Sequence, residues 1–228
     1  MNQPHGLADA RDIRRGTLRG FPRAVVRWLL VRLARGLTGL RIDGLQHVPI
    51  SGPVVVVANH LHNADPVLLA IAFPRALYVM AKRELFERRW MAIILTVAGA
   101  FPVDRGKADR NAIRLAEAAL TLGEAVAMFP EGTRSPTGTL GVGQPGVGLI
   151  ALRSRAPILP VTITGTESLP GNGGTRGPSV RRRRATAIHF GSPFVLPESV
   201  EGRRLSSKDA TDRIMAELAK LLPTSYQS

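Results

Sequence analysis

The chain has 228 residues, 44% of them hydrophobic, which is enough to bury the core of one α/β domain. It has no cysteine, which excludes disulfides, a cysteine nucleophile and thiolate metal sites, and nothing indicates an oxidising compartment. The formal net charge is +14, which favours polyanionic partners. Aromatic residues make up only 5% of the chain, and no zinc-finger, RNA-recognition or helix-turn-helix signature occurs. A membrane surface or a phosphorylated substrate is therefore favoured over nucleic acid.

The N-terminal region divides into a basic segment and a predicted helix. Residues 1–20 are polar and Arg-rich, without the apolar core of a secretory signal, and we expect a flexible N-terminus. Residues 21–40 predict an amphipathic helix, because its apolar side chains fall within an arc of about 100°. These side chains are Val26, Leu29, Leu30, Leu33, Leu37 and Leu40. Arg27, Arg32 and Arg35 lie outside the arc, so the helix either packs on the core or lies in a membrane interface.

Beyond this helix, short apolar runs alternate with helical patterns, which predicts an α/β domain over residues 41–223 and a tail over 224–228. The predicted strands are Val54–Ala58, Leu77–Ala81, Gly99–Val103, Ala125–Phe129, Ile158–Thr164 and Ala185–Phe190. The predicted helices are Pro66–Phe73, Arg110–Leu122, Val147–Arg155 and Asp209–Leu222. The segment Pro170–Arg184 is rich in Gly and Arg and predicts an exposed loop.

Polar clusters follow four of the predicted strands, at the strand ends where open α/β sheets bind their ligands. The clusters are Asn59-His60, Lys82-Arg83, Asp104-Arg105 and Glu131-Gly132-Thr133-Arg134. We expect these side chains to line one edge of the sheet.

The first cluster continues as Asn59-His60-Leu61-His62-Asn63-Ala64-Asp65-Pro66. Five residues along one helix would separate His60 and Asp65 by about 140°, so a contact between them requires an intervening turn. Pro66 suits the first position of a helix and Asp65 suits its cap, which predicts such a turn. A carboxylate beside a neutral imidazole would fix its tautomer and let it accept a proton from an alcohol. Taken singly, His60 is also consistent with an ordinary strand-end residue.

A second interpretation makes His60, His62 and Asp65 the ligands of a metal ion, as in zinc hydrolases of the metallo-β-lactamase type. That pattern requires an Asp-His pair directly after the second histidine, which this chain lacks. The other histidines, His5, His47 and His189, are not at ligand spacing, so we expect no metal site and assign His62 to a loop.

The fourth cluster lies in Phe129-Pro130-Glu131-Gly132-Thr133-Arg134-Ser135, which we call the phosphate turn. Glycine permits close backbone approach and arginine can bind a phosphate through two parallel hydrogen bonds. Arg105 and Lys82 would add positive charge at the same edge, although most such residues are simply solvated. The run Arg181–Arg184 is interpreted as a solvated loop that could lie on anionic headgroups.

These residues resemble, in order, the four sequence blocks of the lysophosphatidic acid acyltransferase (1-acyl-sn-glycerol-3-phosphate acyltransferase) family, within the glycerolipid acyltransferase superfamily. The blocks are His60 to Asp65, Gly99 to Arg105, Phe129 to Ser135, and Pro157 to Val161. The resemblance extends from about Leu40 to Leu222. It implies a mixed central sheet flanked by helices, and an N-terminal element embedded in one leaflet. The absence of cysteine favours the cytoplasmic face of the membrane.

The resemblance also implies a reaction: transfer of a fatty acyl group from acyl-coenzyme A or acyl-carrier protein to the free hydroxyl of a lysophospholipid, giving phosphatidic acid. No cofactor beyond the acyl donor is implied. His60 would be the general base and Asp65 would orient it. The residues implied in phosphate binding are Arg105, Glu131, Gly132, Thr133 and Arg134, with Lys82 assisting, and Pro160 would shape the acyl-binding wall.

One position departs from the family pattern. Members often have a lysine about ten residues after the third block, where this chain has Gln144. The acceptor is therefore less defined than the reaction, and acceptors other than lysophosphatidic acid and a non-catalytic protein that binds anionic lipid stay as alternatives.

Overall fold

The computed structural model of the chain describes residues 20–82, 87, 99–103, 110–170, 185–200 and 202–227. In these ranges the strands are β1 (Arg41–Asp43), β2 (Val54–Ala58), β3 (Leu77–Lys82), β4 (Ala100–Val103), β5 (Ala125–Met128), β6 (Ile158–Thr164), β7 (Ala187–Phe190), β8 (Ser199–Val200) and β9 (Arg203–Arg204). The α-helices there are α1 (Gly20–Thr38), α2 (Asp65–Ala72), α3 (Arg110–Thr121), α4 (Pro145–Ser154) and α5 (Ser207–Leu221).

Seven of these strands form one mixed sheet in the order β1-β7-β6-β2-β5-β3-β4. The five strands from β6 to β4 run parallel, β7 is antiparallel to β6, and β1 is parallel to β7. The mixed α/β fold expected from the sequence is confirmed. The short strand β1 was not predicted, because it offers only Arg41, Ile42 and Asp43 and no apolar run.

The core has two halves, one on each face of the sheet. Val54 and Val56 pack with α1 and α2 on one face, whereas Val55 and Val57 pack with α3, α4 and α5 on the other. All five residues of β2 are buried, as expected for a parallel strand covered on both sides. This central strand ends directly before Asn59 and His60, so the two-sided packing fixes the starting point of the site.

The N-terminal helix is present, and all side chains of the predicted apolar arc that lie within it are exposed; Leu40, beyond the helix end, is buried. Val31 and Ala34 are buried against the domain. By contrast Trp28, Leu33 and Leu37 are 55%, 58% and 71% exposed. The helix therefore packs through a narrow strip and leaves its apolar arc uncovered. No helix in the described ranges is both long enough and apolar enough to cross a membrane.

The C-terminal segment of the chain differs from its prediction. Residues 224–228 were predicted to be a tail, but Thr224–Tyr226 is a short 3-10 helix and Tyr226 is buried in the core. The Tyr226 hydroxyl donates to Glu167 Oε1 at 2.7 Å and accepts the Gly165 N–H at 3.1 Å, which attaches this segment to the loop after β6. Residues 1–19 and most of the predicted loop Pro170–Arg184, with its arginine run, lie outside the described residues.

Candidate active site

Two of the predicted polar clusters, and the first residue of a third, lie at the carboxyl edge of the sheet. His60 follows β2, the phosphate turn follows the neighbouring strand β5, and Lys82 is the last residue of β3, which pairs with β5. Arg105 lies outside the described residues, so its predicted place in the site stays a prediction.

His60 and Asp65 are in contact and both are buried. Nδ1 of His60 and Oδ2 of Asp65 are 3.0 Å apart, and the two side chains are 2% and 0% exposed. The ring of His60 also lies 4.4 Å from that of Phe129, measured between centroids, with an interplanar angle of 34°. The imidazole is therefore held on one side by a carboxylate and on another by an aromatic ring.

The turn between these two residues is built around the same carboxylate oxygen. Oδ2 of Asp65 accepts the backbone N–H groups of Leu61 and His62, each at 2.6 Å. The sequence predicted Asp65 as the cap of the following helix, which is wrong: α2 begins at Asp65 and Ala64 is its cap residue. The carboxylate binds the preceding turn and His60 instead of the helix end.

This contact determines which imidazole nitrogen can act as a base. An ionised carboxylate only accepts hydrogen bonds, so Nδ1 of His60 is the donor in its contact with Asp65. In the neutral ring Nε2 then carries the lone pair. The arrangement provides a general base at Nε2 whose protonated form is stabilised by Asp65.

Glu131 holds the main chain of His60 in place. Its Oε1 accepts the His60 N–H at 2.9 Å and its Oε2 accepts the Gly141 N–H at 3.0 Å. Burial raises the pKa of Glu131, and the two N–H groups act against that rise. Both carboxylate oxygens of Glu131 are therefore bonded to backbone, and one of them positions His60. The assignment of Glu131 to phosphate binding stays a prediction.

Asn59 connects the end of β2 to β6, a role that was not predicted from the sequence. Its side-chain amide donates to the carbonyl of Ile163 and accepts the N–H of Ile163, both at 2.8 Å. The side chain continues the pairing of β2 with β6 beyond Ala58, where β2 ends. An asparagine directly before His60 was the available signal, since only an amide side chain can form both bonds at once.

The rest of the phosphate turn is placed beside His60. The Ser135 N–H donates to the His60 carbonyl at 2.8 Å, so the turn and the histidine are joined through backbone. Gly132 has a φ of 69°, in the left-handed region that favours glycine. Gly132 and Thr133 are exposed and Arg134 is half-buried, which leaves this backbone open to a ligand.

Gln144 lies against this turn. Its N–H donates to the carbonyl of Pro130 at 2.7 Å, and its side-chain Cγ lies 3.4 Å from the position a Cβ would take on Gly132. The position that departs from the family pattern is therefore next to the proposed phosphate site and is occupied by a neutral amide.

His62 is buried in the turn between β2 and α2. Its Nδ1 accepts the Ala64 N–H at 3.0 Å, a bond that requires an unprotonated Nδ1. Burial lowers the pKa of His62, although the Asp65 carboxylate acts in the opposite direction. The assignment of His62 to a loop agrees with this placement. Within the described ranges no group of three or more His, Asp and Glu could hold a metal ion.

Pro160 lies within the sheet, away from the polar edge. It occupies the middle of β6, opposite Val57, and its carbonyl accepts the Gly191 N–H at 2.9 Å. The described residues show Pro160 buried in this position, and its role in an acyl-binding wall stays a prediction.

A protein-family model and several known proteins match this chain in sequence, and one solved structure shares its fold. A protein-family model described as Acyltransferase matches residues 39–164, a range that contains His60, Asp65, the phosphate turn and Pro160. The structure of the 1-acyl-sn-glycerophosphate (LPA) acyltransferase from Thermotoga maritima has a TM-score of 0.62 and 23% identity. The match covers 87% of this chain and 80% of that chain, which shows a shared fold.

Curated relatives are named 1-acyl-sn-glycerol-3-phosphate acyltransferase. The Streptococcus pneumoniae protein is 30% identical over 73% of this chain and 60% of its own length. The Bacillus subtilis protein is 30% identical over 57% of this chain and 65% of its own length. The human protein named 1-acyl-sn-glycerol-3-phosphate acyltransferase alpha is 30% identical over 61% of this chain and 51% of its own length. The chain thus spans between about half and two thirds of these relatives.

The amide bridge from Asn59 to β6 gives a direct stability prediction. Asn59→Ala leaves the N–H and carbonyl of Ile163 without partners at a site that is 2% exposed, and we expect a loss of about 2–4 kcal/mol in the free energy of unfolding. Asn63→Ala, at an exposed position of the same turn, is the control and should change this free energy by less than about 0.5 kcal/mol. Urea denaturation of both variants measures the difference, and equal losses would contradict the bridge.

Proposed function

Since the chain belongs to the acyltransferase family, we propose that it transfers a fatty acyl group from an acyl-coenzyme A or acyl-carrier-protein thioester to the free hydroxyl of 1-acylglycerol-3-phosphate, giving phosphatidic acid in phospholipid biosynthesis. The observation that carries the proposal is the buried His60–Asp65 pair, joined through backbone to the phosphate turn. The names of the curated relatives support the choice of acceptor.

The reaction follows from the orientation of His60. Nε2 removes the proton of the acceptor hydroxyl while that oxygen attacks the thioester carbonyl carbon, and Asp65 stabilises the imidazolium that forms. Collapse of the tetrahedral intermediate breaks the carbon–sulfur bond, and the imidazolium returns the proton to the departing thiolate. The products are an ester and a free thiol, no acyl-enzyme forms, and the reaction needs no resident cofactor.

The acceptor's phosphate is proposed to bind at the phosphate turn. Gly132 and Thr133 supply exposed backbone, and Arg134 supplies a guanidinium, which suits a phosphate monoester. Lys82, at the end of β3, and Arg105 are proposed to add positive charge, and Pro160 is proposed to shape the acyl wall.

The direct test compares wild type with His60→Ala in a thiol-release assay with acyl-coenzyme A and 1-acylglycerol-3-phosphate. Loss of a general base should lower turnover on the order of 100-fold or more. The matched control is His189→Ala, which removes a histidine from β7, outside the site, and should keep wild-type turnover. A His60→Ala variant as active as wild type would contradict the assignment of His60 as the general base.

The same assay separates the alternatives on acceptor and donor. Acyl-carrier-protein thioester replaces acyl-coenzyme A in a parallel series, and monoacylglycerol and 1-acylglycerol-3-phosphocholine replace the phosphate monoester. Equal turnover of the phosphate-free acceptor would contradict recognition at the phosphate turn. Vesicle binding without turnover of any acceptor would instead indicate a non-catalytic protein that binds anionic lipid.

We also propose that α1 lies in the interface of an anionic bilayer, on the cytoplasmic face, as a peripheral or monotopic anchor. Its apolar arc is uncovered in the described structure, with Leu33 and Leu37 among the most exposed large apolar side chains. The net charge of +14 favours a negatively charged surface over a neutral one. Arg32 lies 4.9 Å above the ring of Trp28, which is exposed outside the apolar arc, and a cation beside an amphipathic ring suits the headgroup level of a bilayer.

This placement is tested with vesicles that contain about one third phosphatidylglycerol. Leu33→Glu/Leu37→Glu should weaken sedimentation with these vesicles on the order of tenfold or more, because two charges replace apolar area in the bilayer. Val195→Glu is the control: Val195 is 63% exposed and lies beside Phe194 and Leu196, which pack against the opposite face of the sheet. Equal binding by the two variants would rule out α1 as the anchor.

A further inference from the structure

Two arginines of α1, Arg23 and Arg27, face into the domain, on the side of the helix that carries the buried Val31 and Ala34. Nη2 of Arg23 donates to the carbonyls of Arg75 at 2.6 Å and Ala70 at 3.2 Å. Nη2 of Arg27 donates to the carbonyl of Ala72 at 2.7 Å. The two arginines are four residues apart, so both lie on the same face of the helix.

The acceptors of these bonds belong to the last turn of α2 and the segment directly after it. The last four carbonyls of a helix have no partners within the helix, and positive charge near them is favourable. Helix α2 has no basic residue of its own in its last turn. The cations that complete its C-terminus therefore come from α1.

The opposite end of α2 carries Asp65, the positioning residue of His60. The helix has only eight residues and begins at Asp65, so about 12 Å separates the arginine contacts from the carboxylate that orients His60. Ala34 of α1 and Leu68, Leu69 and Phe73 of α2 and its end belong to the same core cluster. One short, rigid helix thus joins the proposed bilayer anchor to the His60–Asp65 pair.

We propose that Arg23 and Arg27 are positioning residues that fix α1 to α2, so that the His60–Asp65 pair is held at a set height and orientation above the bilayer. The inference rests on the proposed function. A lysophospholipid keeps its acyl chain in the bilayer, so its hydroxyl lies at a depth set by the membrane. His60 can reach that hydroxyl only if its distance and orientation relative to α1 are fixed. Small misplacements of reacting groups lower reaction rates strongly.

The exposed arginines of α1 provide a contrast. Arg32 and Arg35 lie on its solvent side and are suited to headgroups, whereas Arg27 is half-buried, and burial lowers its pKa. An arginine that served only to attract anionic lipid would gain nothing from a buried position. The direction of Arg23 and Arg27 is therefore explained by their contacts with α2.

The test uses the full chain and two forms of the acceptor. One is a long-chain 1-acylglycerol-3-phosphate in phosphatidylglycerol-containing vesicles, and the other is a short-chain analogue in monomeric solution. The variant Arg23→Gln/Arg27→Gln is compared with Arg32→Gln/Arg35→Gln, which loses the same charge from the exposed side of α1. Turnover is divided by the fraction of protein bound to the vesicles, so that any loss of binding is removed from the comparison.

We expect the inward pair to lower kcat on the vesicle substrate about tenfold or more, with kcat on the soluble substrate within about twofold of wild type. The outward pair should weaken vesicle binding, but the turnover of each bound molecule on vesicles, and kcat on the soluble substrate, should stay within about twofold of wild type. Arg23→Lys/Arg27→Lys keeps the charge but replaces the planar, preorganised guanidinium by a flexible ammonium, and a loss of about threefold on vesicles alone is expected. If the glutamine double variant does not fold, the lysine double variant provides the test of the proposal.

Three results would overturn the inference. Equal losses on both substrates would mean that the arginines only support the fold, and no loss on vesicles would mean that they do not position the site. Equal losses for the inward and outward pairs would mean that charge alone matters. A wild-type protein without turnover on either substrate would instead overturn the proposed function, and the inference with it.

Discussion

One carboxylate oxygen organises the candidate active site. Oδ2 of Asp65 accepts the side chain of His60 and the backbone N–H groups of Leu61 and His62. Hydrogen bonds to an ionised group are shorter and stronger than neutral ones, and a buried carboxylate without partners would be costly. The same charge that shapes the turn therefore selects the imidazole tautomer, which means that the local fold and the chemistry depend on a single atom.

The sheet supplies the remaining constraints on His60. Its N–H is held by Glu131 and its carbonyl by Ser135, both from the phosphate turn after β5. Asn59 attaches the same segment to β6 on the other side. Because β2 lies between β5 and β6 in the sheet, the residue that follows it is fixed from both neighbours. The base is therefore positioned by backbone contacts, and its ring is left to react.

Much of this could be predicted from the sequence. The bounds of β2 and β6 were predicted as the structure has them, because β2 is a continuous apolar run and β6 lies between the turn-forming residues Pro157 and Gly165. The contact of His60 with Asp65 was predicted because Pro66 indicates a helix start. The bond from Glu131 to His60 joins residues 71 positions apart and depends on strand order, which local patterns do not contain. The helical pattern of α1 defined an apolar arc, but a pattern cannot say whether the arc faces the domain or a membrane.

The central claim is that Asp65 fixes His60 as an Nε2 base, and ¹⁵N NMR of the His60 imidazole tests it most directly. In wild type, with the ring neutral, Nδ1 should carry the proton and Nε2 should show the shift of an unprotonated nitrogen. Asp65→Asn should move the population toward the Nε2–H tautomer, since an amide can donate to Nδ1. A wild-type ring protonated at Nε2, or the same tautomer in both proteins, would contradict the account.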